Sequence, residues 1–386
     1  MDLKTVIDTR RKGEPDILLF ILIFVLAGIG IAMCYSASAV SALKTMGDSF
    51  FYLKKQLIWF GVSFMALLVV QEIDYRVYRK YTTVMLLASL VLLVVVLVPG
   101  IGHEAKGSAR WINFGFARLQ PSEFVKIFMV LYLVKVFSSD ADTVGSPVMQ
   151  MFIPLLIIAL MFVLIMLQPD FGTGVDLLIV SVVILFVSGF PLRYILTLMV
   201  LSLPMFYLLV YQVDYRRERI LAYLDPWKDR FGNGYHIIQS FIAFKKGGIL
   251  GVGLGYGTQK IVRLPEPHTD FIFAVIAEEV GIFGTAFIVV LYLLLFMRAI
   301  TISINAPDEF GRLLAIGLGL LLVVQAYINM GVVTGSLPTT GIPLPFISYG
   351  GSSLLSSMIA AGILLNISRY REAAATRAPL GEEVWQ

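Results

Sequence analysis

The 386-residue chain is 58% hydrophobic and 15% charged, against about 45–50% and about 25% in soluble globular domains. A soluble core cannot bury that much apolar surface, but lipid can, so the composition excludes a soluble globular protein and points to an all-α polytopic membrane protein. The net charge of +4 is too modest for a nucleic-acid-binding surface, and no nucleic-acid partner is expected.

Arg10, Arg11 and Lys12 precede an apolar run too long for the core of a cleaved signal peptide. Residues 1–16 therefore read as a cytoplasmic N-terminal segment and the run as a first span. A span needs roughly 20 mostly apolar residues, and ten stretches qualify, at about 17–36, 55–72, 81–98, 120–138, 150–168, 171–190, 193–212, 270–298, 311–335 and 350–368. Only Pro169-Asp170 separates the fifth from the sixth, which predicts a tight hairpin. An even number of spans puts both termini on one side. Lys4, Arg10, Arg11, Lys12, Arg76, Arg79, Lys80, Lys135, Arg193, Arg298, Arg312, Arg369, Arg371 and Arg377 would share that side, against only Lys44, Lys54, Lys55, Lys106, Arg110 and Arg118 in the short segments opposite. The excess makes it the cytoplasm. The transmembrane domain is then 17–368, with one long extracytoplasmic loop, 213–269, between helices 7 and 8, and 369–386 is a cytoplasmic tail.

The long loop is rich in arginine, including Arg216, Arg217 and Arg219, and its aromatic and aliphatic residues argue against disorder. Residues 235–250 read as an amphipathic segment on the membrane surface. Its glycines, from Gly247 to Gly257, fit no phosphate-binding motif, since no G-x-x-x-x-G-K-[ST] is present. They read as a flexible or closely packed turn. The single cysteine, Cys34, lies in an apolar run and reads as inert.

Four polar clusters stand out. His268-Thr269-Asp270 opens the eighth span behind Leu264-Pro265-Glu266-Pro267. Thr269 and Asp270 suit a helix cap; alternatively, Asp270 is a carboxylate at the outer surface able to deprotonate a hydroxyl. Gln120-Pro121-Ser122-Glu123 opens the fourth span, and Glu123 and Lys126 share a helix face. Either they form a local ion pair, or Lys126 meets an anionic ligand with Arg110 and Arg118 close by. Gln168-Pro169-Asp170 tops the hairpin, where Asp170 suits a cap. Pro338 to Ser353, which includes Ser348, is rich in Pro and Gly and predicts a shaped re-entrant segment. Asp176, Glu278 and Glu279 lie within spans and need partners.

Taken in order, Lys106-Gly107-Ser108-Ala109-Arg110-Trp111-Ile112, Leu119-Gln120-Pro121-Ser122-Glu123, Gln168-Pro169-Asp170, Asp225-Pro226-Trp227, Leu264 through Phe273 and Leu344 through Ser352 resemble the SEDS family (shape, elongation, division and sporulation) of RodA and FtsW. The resemblance implies ten membrane helices and an inverting peptidoglycan glycosyltransferase that polymerises lipid II at the outer face of the bacterial cytoplasmic (inner) membrane. It places Asp270 at the family's catalytic aspartate. It matches Glu123, Lys126 and Asp170 to functionally important positions. With Arg110, His268 and Ser348 these are the residues expected to bind substrate. It links activity to a divalent cation, Mg2+ or Mn2+, with no ligands assigned here, and to no organic cofactor. It implies a class B penicillin-binding protein as partner, among other divisome or elongasome membrane proteins. Asp225-Pro226-Trp227, Pro338-Thr339-Thr340-Gly341 and Asp48-Ser49-Phe50-Phe51 look like the division branch, while Gly257-Thr258-Gln259 and Ala277-Glu278-Glu279 look like the elongation branch; the balance leans to division. Lys245-Lys246 departs from the family pattern. The competing readings are a lipid II flippase and a non-catalytic scaffold for a penicillin-binding protein. A flippase would place its site near the bilayer midplane rather than at one surface.

Overall fold

A computed structural model describes residues 13–99, 102–105, 108–113, 115, 118–138, 147–197, 200, 204, 207, 214–262 and 267–370. Residues 1–12, Lys106, the Leu264-Pro265-Glu266 approach, the tail past Tyr370 and most of the seventh expected span lie outside the described residues.

The chain is mostly helical. In order come α1 (Ile17–Met46), α2 (Phe51–Glu72), α3 (Tyr75–Leu97), strands β1 (Gly102–Ala105), β2 (Ser108–Asn113) and β3 (Arg118–Leu119), then α4 (Pro121–Phe137), α5 (Pro147–Leu167), α6 (Phe171–Val187), α7 (Asp214–Leu224), α8 (Tyr235–Gly247), α9 (Gln259–Val262), α10 (Ile272–Ile304), α11 (Glu309–Val333) and α12 (Gly351–Ser368). Six of these, α1, α2, α3, α10, α11 and α12, are long and apolar enough to cross a membrane; Phe152–Leu167 and Phe171–Val187 are shorter apolar helices. The strands form one antiparallel sheet in the order β1-β2-β3, with Ile112 opposite both Gly102 and Leu119. An all-helical reading of the sequence does not contain this sheet.

Short acidic side chains set where spans begin. Asp16 accepts from Leu19 N at 2.9 Å, Asp74 from Arg76 N at 2.9 Å and Asp308 from Gly311 N at 2.7 Å, each satisfying a backbone N–H that its helix leaves open. α1 runs well past the expected end near residue 36. There Ser38 donates to Cys34 O at 2.6 Å and Thr45 to Ser41 O at 2.9 Å, so these hydroxyls are satisfied by the helix's own carbonyls. Gly47, at φ 72°, ends it.

The surface is the reverse of a soluble protein's. Ile58, Val62, Met65 and Val69 are exposed along one face of α2, and Val84, Leu87, Val91 and Val94 along one face of α3. Spacings of three and four make each set a continuous apolar stripe, the natural face for lipid. α11 and α12 are 89% and 83% buried over their most apolar windows, against 17% and 28% for α2 and α3. The first pair is therefore the centre of the bundle and the second its rim.

One end of the bundle is closed by charge. Asp16 pairs with Arg298, and its backbone N–H meets Ser368 Oγ at 3.0 Å. Tyr75 and Arg76 both bond Asp308, at 2.6 and 3.0 Å, and Arg369 bonds Glu72 at 2.5 Å. Gly13 N donates to Arg369 O at 2.9 Å, so the first and last parts of the described chain meet at this end.

At the other end the backbone folds inward twice. Residues 338–350 are irregular, yet Ile342 and Leu344 to Ser348 are buried. Tyr292, within α10, donates to Pro345 O. This is irregular backbone enclosed by helices, the condition under which it is tolerated at membrane depth. The glycine-rich turn of 247–257 is the second. α10 breaks at Gly281, at φ 73° and ψ −164°, and the freed carbonyls of Glu278 and Glu279 accept from Val252 N and Gly253 N, both at 3.0 Å. The turn is closely packed, and α8, carrying the expected amphipathic segment, lies against α10 with Ile237, Ile238 and Ala243 buried and Lys245 and Lys246 outward.

The first re-entrant segment depends on Gly30 in α1, where an added Cβ would stand 2.5 Å from Phe346 O and 2.7 Å from Ile347 Cα. Gly30→Ala is expected to destabilise the protein by about 1–3 kcal/mol through overpacking. Gly28→Ala, with nothing within 4 Å of its added Cβ, is expected to be neutral or mildly stabilising. Thermal unfolding of the two variants in detergent checks the contrast, and equal midpoints would show that the segment yields freely.

Candidate functional site

The inward-folded end gathers the residues singled out in the sequence. α4 starts with Pro121 at its first position, where a missing N–H costs nothing. Its approach is held by Ser352, whose Oγ accepts from Gln120 N at 3.0 Å and donates to Arg118 O at 3.3 Å.

One turn into α4, Lys126 is buried with three partners. Its Nζ lies 3.3 Å from Glu123, 3.1 Å from Asp176 on α6 and 2.8 Å from Gln325 Oε1 on α11. Ser356 on α12 adds a bond to Glu123 at 3.3 Å. The local Glu123–Lys126 ion pair is thus present, and Asp176 has the partner its place in a span demands. As described, the ammonium is enclosed by two carboxylates, so it does not present free charge to an anionic ligand. It braces four helices instead.

Asp170 caps α6, accepting from Thr173 N at 3.4 Å. It also accepts from Thr173 Oγ1 at 2.9 Å, Gln120 Nε2 at 3.1 Å and Ser122 Oγ at 3.5 Å. A charged bond to Arg110 at 3.6 Å completes the set. Arg110 then reaches Gln168 O at 3.2 Å and Pro169 O. From the other side, Arg216 on α7 donates to Met166 O at 3.2 Å and Arg219 to Thr339 O at 3.1 Å. Three guanidinium groups from the sheet and the long loop therefore converge on the α5–α6 turn and the neighbouring re-entrant segment.

Asp270 is half-buried and sits against that same segment, since a Cβ placed on Gly341 would stand 3.3 Å from its Oδ2. Thr340 and Ile342 in turn pack on Gly172 of α6, two residues after Asp170. Phe271, one residue after Asp270, occupies the N-cap position of α10. His268 is buried between Tyr52 and Tyr349, at ring separations of 4.3 and 5.4 Å. Ser348 donates to Thr269 O at 2.7 Å and accepts from Leu344 N at 2.8 Å, pinning the re-entrant segment to the strand of chain that carries Asp270. Glu278 and Glu279 also find partners. Glu278 accepts from Thr258 N at 2.9 Å and from Gln259 N at 3.1 Å, and Glu279 pairs with Lys260 and accepts from Ser36 at 2.7 Å.

Among the described residues no three His, Cys, Asp or Glu side chains come together as a metal site.

Gln325, Asn329 and Tyr52 belong to the site and were not singled out in the sequence. Gln325 and Asn329 did carry a signal, being amides one turn apart inside an apolar run. Tyr52 carried none.

A helical bundle with lipid-facing apolar stripes, sealed by charge at one end and gathering carboxylates and arginines at the other, is a polytopic membrane protein with a polar site at one end. Residues 16–373 match the family of cell cycle proteins that comprises FtsW, RodA and SpoVE, and the chain belongs to that family. It is 44% identical over 95% of its length to a probable peptidoglycan glycosyltransferase FtsW of Geobacter metallireducens, of which it covers 98%. It is 43% identical over 94% of its length to stage V sporulation protein E of Bacillus subtilis, of which it covers 99%. In structure it is similar to a chain of a peptidoglycan synthase complex coordinating polymerization and crosslinking (TM-score 0.76, 29% identity, 92% of this chain and 98% of that one). It is also similar to the rod shape determining protein RodA of Thermus thermophilus (TM-score 0.69, 27% identity, 93% and 98%).

Removing one member of a buried ion cluster leaves uncompensated charge, so Lys126→Met is expected to cost about 3–5 kcal/mol of stability. Adding Asp176→Asn to it is expected to restore part of that loss. A double-mutant cycle by thermal unfolding reads the coupling, and strictly additive effects would mean that the two side chains do not interact.

Proposed function

We propose that the chain is a peptidoglycan glycosyltransferase of the division and sporulation type, polymerising lipid II into glycan strands at the outer face of the bacterial cytoplasmic membrane. The observation that carries the reading is the half-buried Asp270 carboxylate beside Gly341, in the same re-entrant segment whose Thr339 carbonyl accepts from Arg219. The names of the curated relatives support it.

The chemistry follows from the residues. The donor is a lipid-linked glycan whose anomeric carbon bears a pyrophosphate, and the acceptor is lipid II with a free 4-hydroxyl. Asp270 takes the proton of that hydroxyl as its oxygen attacks the anomeric carbon. The C–O bond to the pyrophosphate breaks, and the configuration inverts from α to β. The departing lipid pyrophosphate carries off the bonding electron pair, and its growing negative charge falls to the three arginines. Fixed positive charge in a water-poor site stabilises such a group far more than in bulk water. Lys126, enclosed by Glu123 and Asp176, braces the floor of the site. Arg110 is held in place by Asp170, and Ser348 and His268 fix the two chain segments flanking the base.

The finer topology belongs to the same reading. The chain crosses the membrane ten times with both termini in the cytoplasm, and 213–269 lies outside between the seventh and eighth spans. A class B penicillin-binding protein crosslinks the strands, a pairing supported by the likeness to a chain of a synthase complex.

Two measurements test this. Purified protein supplied with lipid II, with and without a penicillin-binding partner lacking polymerase activity, is expected to yield glycan strands, and Asp270→Ala is expected to lose about 10²–10⁴ of the rate, the usual worth of a general base. Strands made equally well by folded Asp270→Ala would remove it as the base. Absence of strands under every condition, with both proteins folded and bound, would favour lipid transport or scaffolding. For topology, a cysteine at the exposed Phe231 is expected to react with an impermeant maleimide in intact cells. One at Asn305 is expected to react only after permeabilisation, and the opposite pattern would invert the orientation.

A further inference from the structure

Past Arg312, α11 carries two side-chain amides in a largely apolar run, Gln325 and Asn329. They stand one turn apart, share a stripe of the helix, and are 3% and 1% exposed. A polar group buried this deeply in a span needs a reason. Asn329 Nδ2 donates to Asp270 O at 2.9 Å and to Ile342 O at 2.7 Å. Both partners are carbonyls, so only the amide nitrogen can face them. Gln325 Nε2 donates to Pro343 O at 3.1 Å, while its Oε1 accepts from Lys126.

These bonds meet a backbone that regular structure leaves open. Phe271 O is the first carbonyl reached by the N–H groups of α10, from Ala274 and Val275 at 3.0 and 3.3 Å. Asp270 O stands one residue before that ladder. Ile342 and Pro343 lie in the irregular segment. One side chain therefore ties Asp270 to the segment lying against its carboxylate, and the next ties that segment to the Lys126 ion cluster.

We propose that Asn329 is a positioning residue for the glycosyl transfer, holding the Asp270 backbone and the 341–343 segment in one register, with Gln325 linking that register to Lys126. The inference rests on Asp270 being the base. Asn329 touches no reacting atom; it sets where the carboxylate stands relative to the acceptor hydroxyl. A displacement of about 1 Å at a reacting group costs on the order of 10² in rate. Loss of Asn329 should therefore appear in kcat and leave substrate binding nearly intact.

The test uses the full-length protein with its penicillin-binding partner and purified lipid II. Asn329→Leu, which matches the shape without a donor, is expected to lower kcat by about 30–100-fold with KM changed less than about threefold, and Gln325→Leu is expected to have a smaller effect of the same kind. Asn329→Gln, which keeps an NH2 group one methylene further out, is expected to recover part of the kcat loss. A destabilised fold would lower the active fraction, so active-site titration with a non-hydrolysable lipid-linked donor accompanies each rate. If Asn329→Leu does not purify folded, Asn329→Asp against Asn329→Gln supplies the comparison, with higher kcat in the glutamine variant expected. Unchanged kcat in Asn329→Leu, a loss confined to KM or to active fraction, or equal kcat in the aspartate and glutamine variants would overturn the proposal. Asp270→Ala runs alongside. If it is inactive while Asn329→Leu is fully active, the positioning role alone fails; if it is active, the base assignment fails and the positioning role with it.

Discussion

Every charge placed inside the bundle must be met by an opposite charge or by donors, because lipid offers neither. That requirement organises the structure more than any single helix contact does. Lys126 sits between Glu123 and Asp176, Lys260 beside Glu279 and Arg298 against Asp16. Lys126–Asp176 and Arg298–Asp16 join segments 50 and 282 positions apart in the chain. Burial of such pairs is weak evidence for stability, since desolvation consumes much of the attraction. Their worth lies in specificity: with any partner out of place, a charge is stranded in the bilayer. The arrangement therefore selects one packing of apolar helices that dispersion alone would leave interchangeable.

The same logic permits the two inward folds. Backbone that leaves the helical ladder at membrane depth exposes N–H and C=O groups, and here the protein satisfies them. The break at Gly281 frees carbonyls for Val252 and Gly253, and Glu278 accepts from the N–H groups at the start of α9. The 338–350 segment is fixed by Tyr292 on α10, by Gln325 and Asn329 on α11, and by its own Ser348 bonding Thr269 O. Irregular backbone held this firmly can place a carboxylate and its surroundings more exactingly than an open loop, which suits a site where reacting atoms must meet within a fraction of an ångström.

Much of this was legible in the sequence, and the exceptions have physical causes. Apolar runs of span length are local signals, so α1 to α3 and α10 to α12 could be read off directly. Their ends were harder. α1 outlasts its apolar run through a stretch whose hydroxyls, Ser38 and Thr45, bond back onto the helix, while hydropathy counts those residues only as polar. The small sheet was missed because its strands are short and carry no long alternating pattern. Site residues were legible as unusual polar groups at span ends, and Asp170 and Pro121 took the positions their chemistry predicts. What sequence does not carry is pairing over distance. Lys126 meets Asp176 across 50 positions and Gln325 across 199. Spacing alone left Lys126 with a choice between Glu123 and a ligand, because its other two partners are invisible until the helices pack.

The division of labour between the two kinds of cation follows from burial. An ammonium enclosed by two carboxylates has its field largely cancelled within a few ångströms, so Lys126 contributes little potential at the surface where a pyrophosphate would leave. Arginines resting on backbone carbonyls are different. Arg216 and Arg219 each donate to a backbone carbonyl, Met166 O and Thr339 O, which ties the long loop to the α5–α6 hairpin and to the re-entrant segment. A guanidinium also has several donors in a plane, enough to keep a structural bond and offer another. Arg110 is intermediate, with Asp170 neutralising part of its charge while fixing its direction. The site thus has a neutralised floor around Lys126 and a rim of guanidinium groups fixed on backbone carbonyls, with Asp270 on a stretch of chain tied by Asn329 to the segment between them.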